Sequence, residues 1–320
     1  MKAAVYDTFG PPEVLRYETV DDPVCQPDGV VIRVEAIAVE GGDLFARNTI
    51  SPPSSDHVGG YAAAGAIIQL GSNVHDWSVG DRVATIAVGG SHAELRAVPA
   101  RTCFRVPDGL DMARAAAVPV PFLTAHHALF RVIRLRPEDT LVVQGAAGSV
   151  GLAAIQLAAG KGSTVLAIQS GTKRMDYLRA LGATDVMDRH AQDTAEFVRQ
   201  STEGRMASVV LETVGGATLD TSIAVTRPFG QILLIGNASQ AAMRPDLWPA
   251  MTNNISLLGV SLRASFAAPS TRGDIEDMLR QVERGKLAVA LDRTFSLQEA
   301  AAAHRYIEEN SVLGRVILRP

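Results

Sequence analysis

TLVVQGAAGSVGLAAIQLAAGKGSTVLAIQSGTKR, residues 140–174, holds a strand, a glycine turn, a helix, a second strand and a basic cluster, in that order. Leu141, Val142 and Val143 make an apolar, β-branched run too short for a helix and suited to a parallel strand covered on both faces. Ala146-Ala147-Gly148-Ser149-Val150-Gly151 then fits G-x-G-x-x-G with Ala in the first place. In this pattern Gly148 lets the backbone approach a pyrophosphate, and Gly151 lets the following helix pack close to the strand. The helix N-terminus adds free amide donors and a positive dipole end. A glycine pattern alone is weak, but here it stands between a strand and an amphipathic helix carrying Leu152, Ile155 and Leu157. The segment reads as a dinucleotide cradle, with Ala147, Gly148, Ser149, Val150 and Gly151 on the pyrophosphate.

The second strand, Thr164–Ser170, should end beside the adenosine ribose, where NAD-specific sites place an Asp or Glu on the 2′-hydroxyl. No acid occurs between Gly151 and Asp176; Ser170 is followed instead by Gly171, Thr172, Lys173 and Arg174. A hydroxyl and two cations suit the dianionic 2′-phosphate of NADPH better than a neutral ribose, so Ser170, Lys173 and Arg174 point to NADPH. The alternative is a solvated first helical turn.

Outward from this segment, 320 residues suggest two domains. With 47% hydrophobic and 20% charged residues and a net charge of −4, the composition is that of a globular enzyme. It is not basic enough for general nucleic-acid binding. Apolar stretches stop short of a membrane span and the N-terminus lacks a signal-peptide core, so a cytoplasmic location is expected. Two cysteines, Cys25 and Cys103, supply neither a disulfide framework nor a four-cysteine zinc site.

Residues 1 to about 120 show short strands with Gly and Pro punctuation, at Lys2–Tyr6, Gly29–Ala38, Gly65–Leu70, Asp81–Ile86 and His92–Val98. From about Leu123 strands near 140–145, 163–170, 185–188, 207–213, 231–236 and 255–262 alternate with helical segments. That alternation makes a doubly wound parallel α/β sheet with its ligand crevice at the carboxyl ends of the strands. Helices are expected at Lys173–Leu181, Thr194–Thr202, Leu219–Thr226, Asp274–Arg284 and Gln298–Asn310, with a last strand at Gly314–Leu318. The tail should rejoin the N-terminal domain, giving 1–122 with 263–320 as one domain and 123–262 as the other. A cleft between them would hold nicotinamide and substrate.

The whole chain resembles the medium-chain dehydrogenase/reductase superfamily, and within it the zinc-independent quinone oxidoreductases. The resemblance rests on an ordered series: Lys2-Ala3-Ala4-Val5, Val79-Gly80-Asp81-Arg82-Val83, Val106-Pro107-Asp108-Gly109-Leu110, Leu123-Thr124-Ala125 and Ala146–Gly151. Leu181-Gly182-Ala183, Thr213-Val214-Gly215-Gly216, Ala302-Ala303-His304 and Gly314-Arg315-Val316-Ile317-Leu318 continue it. It implies a Rossmann domain joined to a GroES-like, mostly β catalytic domain, and a homodimer paired through the apolar edge strand 255–262.

The superfamily's alcohol dehydrogenases hold a catalytic zinc. Their Cys-x-x-Asp element falls here on Glu40-Gly41-Gly42-Asp43. Their Gly-His-Glu-x-Ala-Gly element falls on Gly60-Tyr61-Ala62-Ala63-Ala64-Gly65, and the third ligand position lies near Val120. None supplies the Cys/His set that zinc requires, so no metal is expected. The resemblance implies NADPH-dependent reduction of a small-molecule quinone or enone, with two alternatives: an enoyl-thioester reductase of acyl or polyketide metabolism, or a catalytically silent NADPH-binding sensor.

By the same resemblance Thr124 lies near the nicotinamide ribose and Ile235-Gly236-Asn237 on the carboxamide side. Arg189 is either a further phosphate cation or a solvent-facing loop arginine. Glu40, Phe45, His92 and Phe122 are nominated for the substrate pocket, and Tyr61 as the catalytic residue, with a hydroxyl able to orient a carbonyl or donate a proton. Glu40 departs from the asparagine common in zinc-free quinone reductases. A carboxylate there could repel anionic substrates, deliver a proton, or pair with a neighbouring cation, for which Arg47 is the candidate. His304 is expected to pack structurally.

Overall fold

The computed structural model describes residues 1–262 and 270–320. The chain divides into two units, Met1–Val120 with Pro269–Pro320, and Pro121–Ala268. The domain limit expected at 262/263 falls at residues 263–269, outside the described residues.

The N-terminal part runs β1 (Lys2–Tyr6), β2 (Arg16–Thr19), β3 (Gly29–Val39), α1 (Gly41–Thr49), β4 (His57–Val58), β5 (Ala62–Leu70), β6 (Arg82–Ile86), β7 (Leu95–Pro99), β8 (Cys103–Arg105) and α2 (Met112–Ala117). The β-branched run GVVIRVEAIAV makes β3 the spine of this unit, and β5 and β7 pair antiparallel with it. Val30, Ile32, Val34, Ile37 and Val39 pack in one core with Ile67, Val83, Val98 and Cys103. The expected strand at His92–Val98 begins only at Leu95, because His92 N–H turns to Gly59 O instead of a ladder partner.

α3 (Pro119–His126) leads into a π-helical turn at His127–Val132. The second unit continues through β9 (Thr140–Gln144), α4 (Ser149–Lys161), β10 (Thr164–Gln169), α5 (Met175–Ala180), β11 (Asp185–Asp188), α6 (Thr194–Ser201), β12 (Ala207–Glu212), α7 (Thr218–Val225), β13 (Thr226–Leu234), α8 (Trp248–Thr252) and β14 (Ser256–Gly259). Its six strands stand in the order β11-β10-β9-β12-β13-β14 and all pair parallel. The order reverses between β9 and β12, which makes the carboxyl ends of these two strands the ligand-binding switch point of a doubly wound sheet. β14 is the edge strand, and it is shorter than the expected 255–262.

α9 (Thr271–Glu283), β15 (Leu291–Ser296), α10 (Ala300–Glu309) and β16 (Arg315–Arg319) close the chain. Ile275, Met278, Leu279 and Val282 line the buried face of α9 at helical spacing. β16 pairs antiparallel with β3 and completes the seven-stranded sheet of the first unit. On α10 the buried positions are Ala300, Ala303 and His304, so helical periodicity carries a histidine into the interior. Among the described residues no helix is long and apolar enough to cross a membrane.

Candidate active site

In the second unit β9 ends at Gln144, and Gly145, at φ +70°, turns the chain beside Thr213. Gly148 is the N-cap of α4 and contributes no side-chain cap, so the amides of Ser149, Val150 and Gly151 stand at the helix mouth. A Cβ on Gly151 would lie 2.7 Å from the carbonyl oxygens of Gly145 and Ala146, which accounts for glycine where helix meets strand. Ala147 is buried, whereas Gly148 is exposed with only Gly145 O near a notional Cβ, at 3.3 Å. This open backbone can be approached closely by a phosphate, and it fits a dinucleotide pyrophosphate.

Past β10, Ser170 and Lys173 are exposed and Arg174, the residue before α5, is half-buried. Arg189 is exposed just after β11. An acid absent from the local sequence arrives here from the neighbouring strand, since Asp188 Oδ1 accepts the N–H groups of Gly171 (2.9 Å) and His190 (3.1 Å). These bonds hold its carboxyl below the usual range. Asp188 therefore fixes the loop that presents Ser170, Lys173 and Arg174, and its charge lies among cations.

On the other side of the switch point Glu212 is fully buried. Its Oε1 accepts from Val214 N, Gly215 N and Thr218 Oγ1, and its Oε2 from Ser222 Oγ. One carboxylate thus shapes the loop after β12. Ala238 N and Ser239 N bond to Thr213 O and Val214 O, which draws the Gly236–Asn237 segment against that loop. The Asn237 side chain is engaged locally, donating to Ala241 O and accepting from Ser239 Oγ. Phe122 and Thr124 are both buried on α3.

In the first unit the polar side chains turn inward. Glu40, just before α1, is 3% exposed and its Oε2 forms an ion pair with Arg315 on β16. The partner expected from sequence, Arg47, lies elsewhere: it bonds Glu308, Asn48 Oδ1, Gly10 O and His304 Nδ1. The reason is topological, because β16 runs beside β3 and delivers Arg315 to the residue that follows it, whereas α1 carries Arg47 round to α10. Asp43 Oδ2 accepts the Glu40 N–H at 2.8 Å, and the backbone N–H of Tyr61 also serves this carboxylate. Burial raises Glu40 to about 8 against the pull of Arg315, and raises Asp43 to about 7. The Asp43 charge adds to the rise at Glu40.

Arg96 on β7 is 1% exposed and donates to Thr85 Oγ1 and to the carbonyls of Tyr61, Ala87 and Gly89. It ties together the two loops that flank Tyr61. His92 Nε2 meets His304 Nε2 at 3.1 Å, and His92 Nδ1 meets Ser91 Oγ at 3.2 Å. Arginine is only a donor, so the Arg47 contact fixes the tautomers of the neutral histidines: His304 accepts on Nδ1 and donates from Nε2 to His92, which donates from Nδ1 to Ser91. Burial, with Arg96 beside it, holds His92 down at about 4; burial with His92 and Arg47 holds His304 well below its usual range.

Tyr61 and His92 both line a cavity of about 40 Å³, together with Tyr6, Asp43, Arg47, His57 and His304. Glu40 does not line it, and Phe45 is 51% exposed at the surface. Asp43, Arg96, Arg315 and Tyr6 were not singled out as site residues from sequence. Arg96 carried one usable signal, as a lone cation in the apolar strand LRAVP.

The alcohol dehydrogenase GroES-like domain profile matches residues 26–108 and the zinc-binding dehydrogenase profile residues 181–318. A quinone oxidoreductase of Pseudomonas aeruginosa is 29% identical, over 100% of this chain and 99% of that protein. A 2-haloacrylate reductase of a Burkholderia species is 30% identical, over 99% of this chain and 98% of that protein. The chain belongs to the quinone oxidoreductase family of the medium-chain dehydrogenase/reductases. Within this family a mycobacterial protein solved in complex with NADPH superposes with a TM-score of 0.93 at 28% identity, each chain covered in full. The quinone oxidoreductase fold here carries, at the places where the dehydrogenases hold zinc ligands, a glutamate paired with arginine and a tyrosine. Among the described residues no group of three or more His, Cys, Asp or Glu side chains is arranged to hold a metal ion.

Proposed function

We propose that this oxidoreductase reduces quinones or α,β-unsaturated carbonyls with NADPH, without zinc, as a cytoplasmic homodimer paired along β14. The observation that carries the reading is the donor set of the first unit, in which Glu40 is committed to Arg315 and Tyr61 replaces an imidazole. A carboxylate held by a guanidinium and a phenol do not make a Lewis-acid site, so a simple alkoxide would go unstabilised. A conjugated acceptor needs less help, because the charge left after reduction spreads onto a distant oxygen that a hydroxyl can meet.

Bound NADPH supplies the hydride. Main-chain amides of Ala147, Gly148, Ser149 and Val150 hold the pyrophosphate, and Gly151 sets the helix close behind them. Ser170, Lys173 and Arg174, with Arg189 nearby, take the 2′-phosphate, on a loop that Asp188 keeps in place. Thr124, Gly236 and Asn237 position the nicotinamide end. Tyr61 orients the acceptor oxygen, with His92 in the lining of the same cavity. The reading is tested by following NADPH oxidation with 1,4-benzoquinone, 9,10-phenanthrenequinone, an enal and crotonyl-coenzyme A. Turnover with the first three is expected; turnover with the thioester alone would assign an enoyl-thioester reductase, and NADPH binding with no turnover would assign a sensor.

A further inference from the structure

The cavity of the first unit has a composition that the reading above does not use. It offers room for about two or three water molecules, and Asp43, Arg47, Tyr61, His92 and His304 in its lining bring the polar groups that could hold them. Asp43 lines it, is 4% exposed, and its Oδ1 has no hydrogen-bond partner among the described residues. The other oxygen is already taken by Glu40 N–H. A buried carboxyl oxygen without a partner, on a residue that lines a cavity, is costly unless water or a proton satisfies it.

The other titratable and charged groups, in the cavity lining or near it in the first unit, narrow what can exchange a proton there. His92 and His304 have their tautomers fixed by Arg47, and both are held neutral by burial. Arg47 and Arg96 are committed to carbonyl, carboxylate and side-chain acceptors. Glu40 is committed to Arg315. His57 stands edge-on to the Tyr6 ring, and burial lowers its proton affinity. Tyr6 and Tyr61 share the cavity with Asp43, and the Asp43 charge reaches the Tyr6 hydroxyl.

We propose that Asp43 and the cavity beside Tyr61 form a built-in proton reservoir for the reduced substrate. The proposal rests on the reading of the chain as a hydride-transferring reductase with Tyr61 at the acceptor oxygen. After hydride addition the electron pair displaced in the acceptor ends on its oxygen. The Tyr61 hydroxyl gives that oxygen its proton, and the tyrosinate takes one from cavity water. The water takes one from the Asp43 carboxyl, and solvent returns a proton to the Asp43 carboxylate. The sum is one proton from solvent per hydride, with no further oxidant or reductant. Asp43 acts through water and Tyr61 and is a positioning and storage group; within this relay Tyr61 is the member that touches the substrate.

Three measurements on the full-length protein test this. With saturating NADPH and 9,10-phenanthrenequinone, wild-type kcat should fall as pH rises through about 7, since the donor must be protonated. Asp43→Asn should remove that limb and lower kcat by about 10- to 100-fold with KM little changed. In the infrared, the difference between wild type and Asp43→Asn should show the carbonyl stretch of a protonated carboxylic acid that titrates near pH 7, the Glu40 carboxyl being common to both and cancelling. Tyr61→Phe should keep this band while losing kcat, which holds the test open if Asp43→Asn folds poorly. A pH limb that persists in Asp43→Asn, or a difference spectrum without the acid band, would overturn the reservoir while leaving the reductase standing. No turnover by wild type with any acceptor would overturn both.

Discussion

Two buried carboxylate sites in this molecule are treated in opposite ways. Glu212, at the switch point of the parallel sheet, has both oxygens satisfied by four donors from its own loop and the following helix. Asp43 and Glu40, in the antiparallel unit, each keep one oxygen without a hydrogen-bond partner among the described residues, although Glu40 has an arginine against the other. A satisfied buried carboxylate shapes a loop; an unsatisfied one stores free energy that protonation or water can release. The cofactor-binding unit is therefore built for shape, whereas the unit carrying Tyr61 is built around titratable charge.

The contrast can be broken most forcefully at glycines. Gly60 has φ +97°, and a Cβ there would fall 2.0 Å from both His92 Nδ1 and Ser91 Oγ. Gly60→Ala should cost roughly 4 kcal/mol or prevent folding, by strain plus displacement of the histidine relay, as read by chemical denaturation. At Gly148 the nearest atom would be 3.3 Å away at an ordinary φ of −72°, so Gly148→Ala should leave stability within about 1 kcal/mol and weaken NADPH instead.

Next in size is the buried ion pair. Arg315→Met strands Glu40 and should cost about 3–5 kcal/mol, with Glu40→Gln/Arg315→Met recovering most of it. If the double variant is no better than the single, the pair is not the source of the loss.

Acid should separate wild type from His92→Gln. The folded state holds His92 at about 4 against an ordinary 6.5, so the unfolded chain binds that proton first. Stability from this group is complete above pH 6.5 and is lost as pH falls to 4, a change of about 3 kcal/mol. His304, Arg47, Asp43, Tyr6 and His57 line the same cavity and Arg96 acts on His92 from beside it, so the quantity to follow is the difference between wild type and variant against pH. A constant difference would mean that His92 does not titrate as described.

Smaller still is the effect in the second unit, where Lys173→Ala/Arg174→Ala should weaken NADPH by about 10- to 100-fold and leave NADH unchanged, in a calorimetric titration. Equal loss for both cofactors would make the two residues a solvated helix turn.

These differences follow what local sequence can encode. The cradle was legible because strand, glycine turn and helix are consecutive, and Gly151 stands where a Cβ would meet carbonyl oxygens. The doubly wound sheet was legible for the same reason, whereas α8 and, in the first unit, the short strands β2, β4 and β8 carry too few residues to show a period. The charge network was not legible. Its partners are far apart in sequence: Glu40 meets Arg315, Arg47 meets Glu308, and His92 meets His304 only after β16 and α10 return to the first unit. Proximity along the chain suggested Arg47 for Glu40, and the antiparallel pairing of β16 with β3 supplied a different arginine.

The most direct single measurement is the ratio of kcat/KM for NADPH over NADH in quinone reduction by the purified protein, with and without a metal chelator. A ratio well above ten that the chelator leaves unchanged is expected if Ser170, Lys173 and Arg174 select the 2′-phosphate and Glu40 and Tyr61 hold no zinc. A ratio near or below one, or activity lost to the chelator, would contradict it.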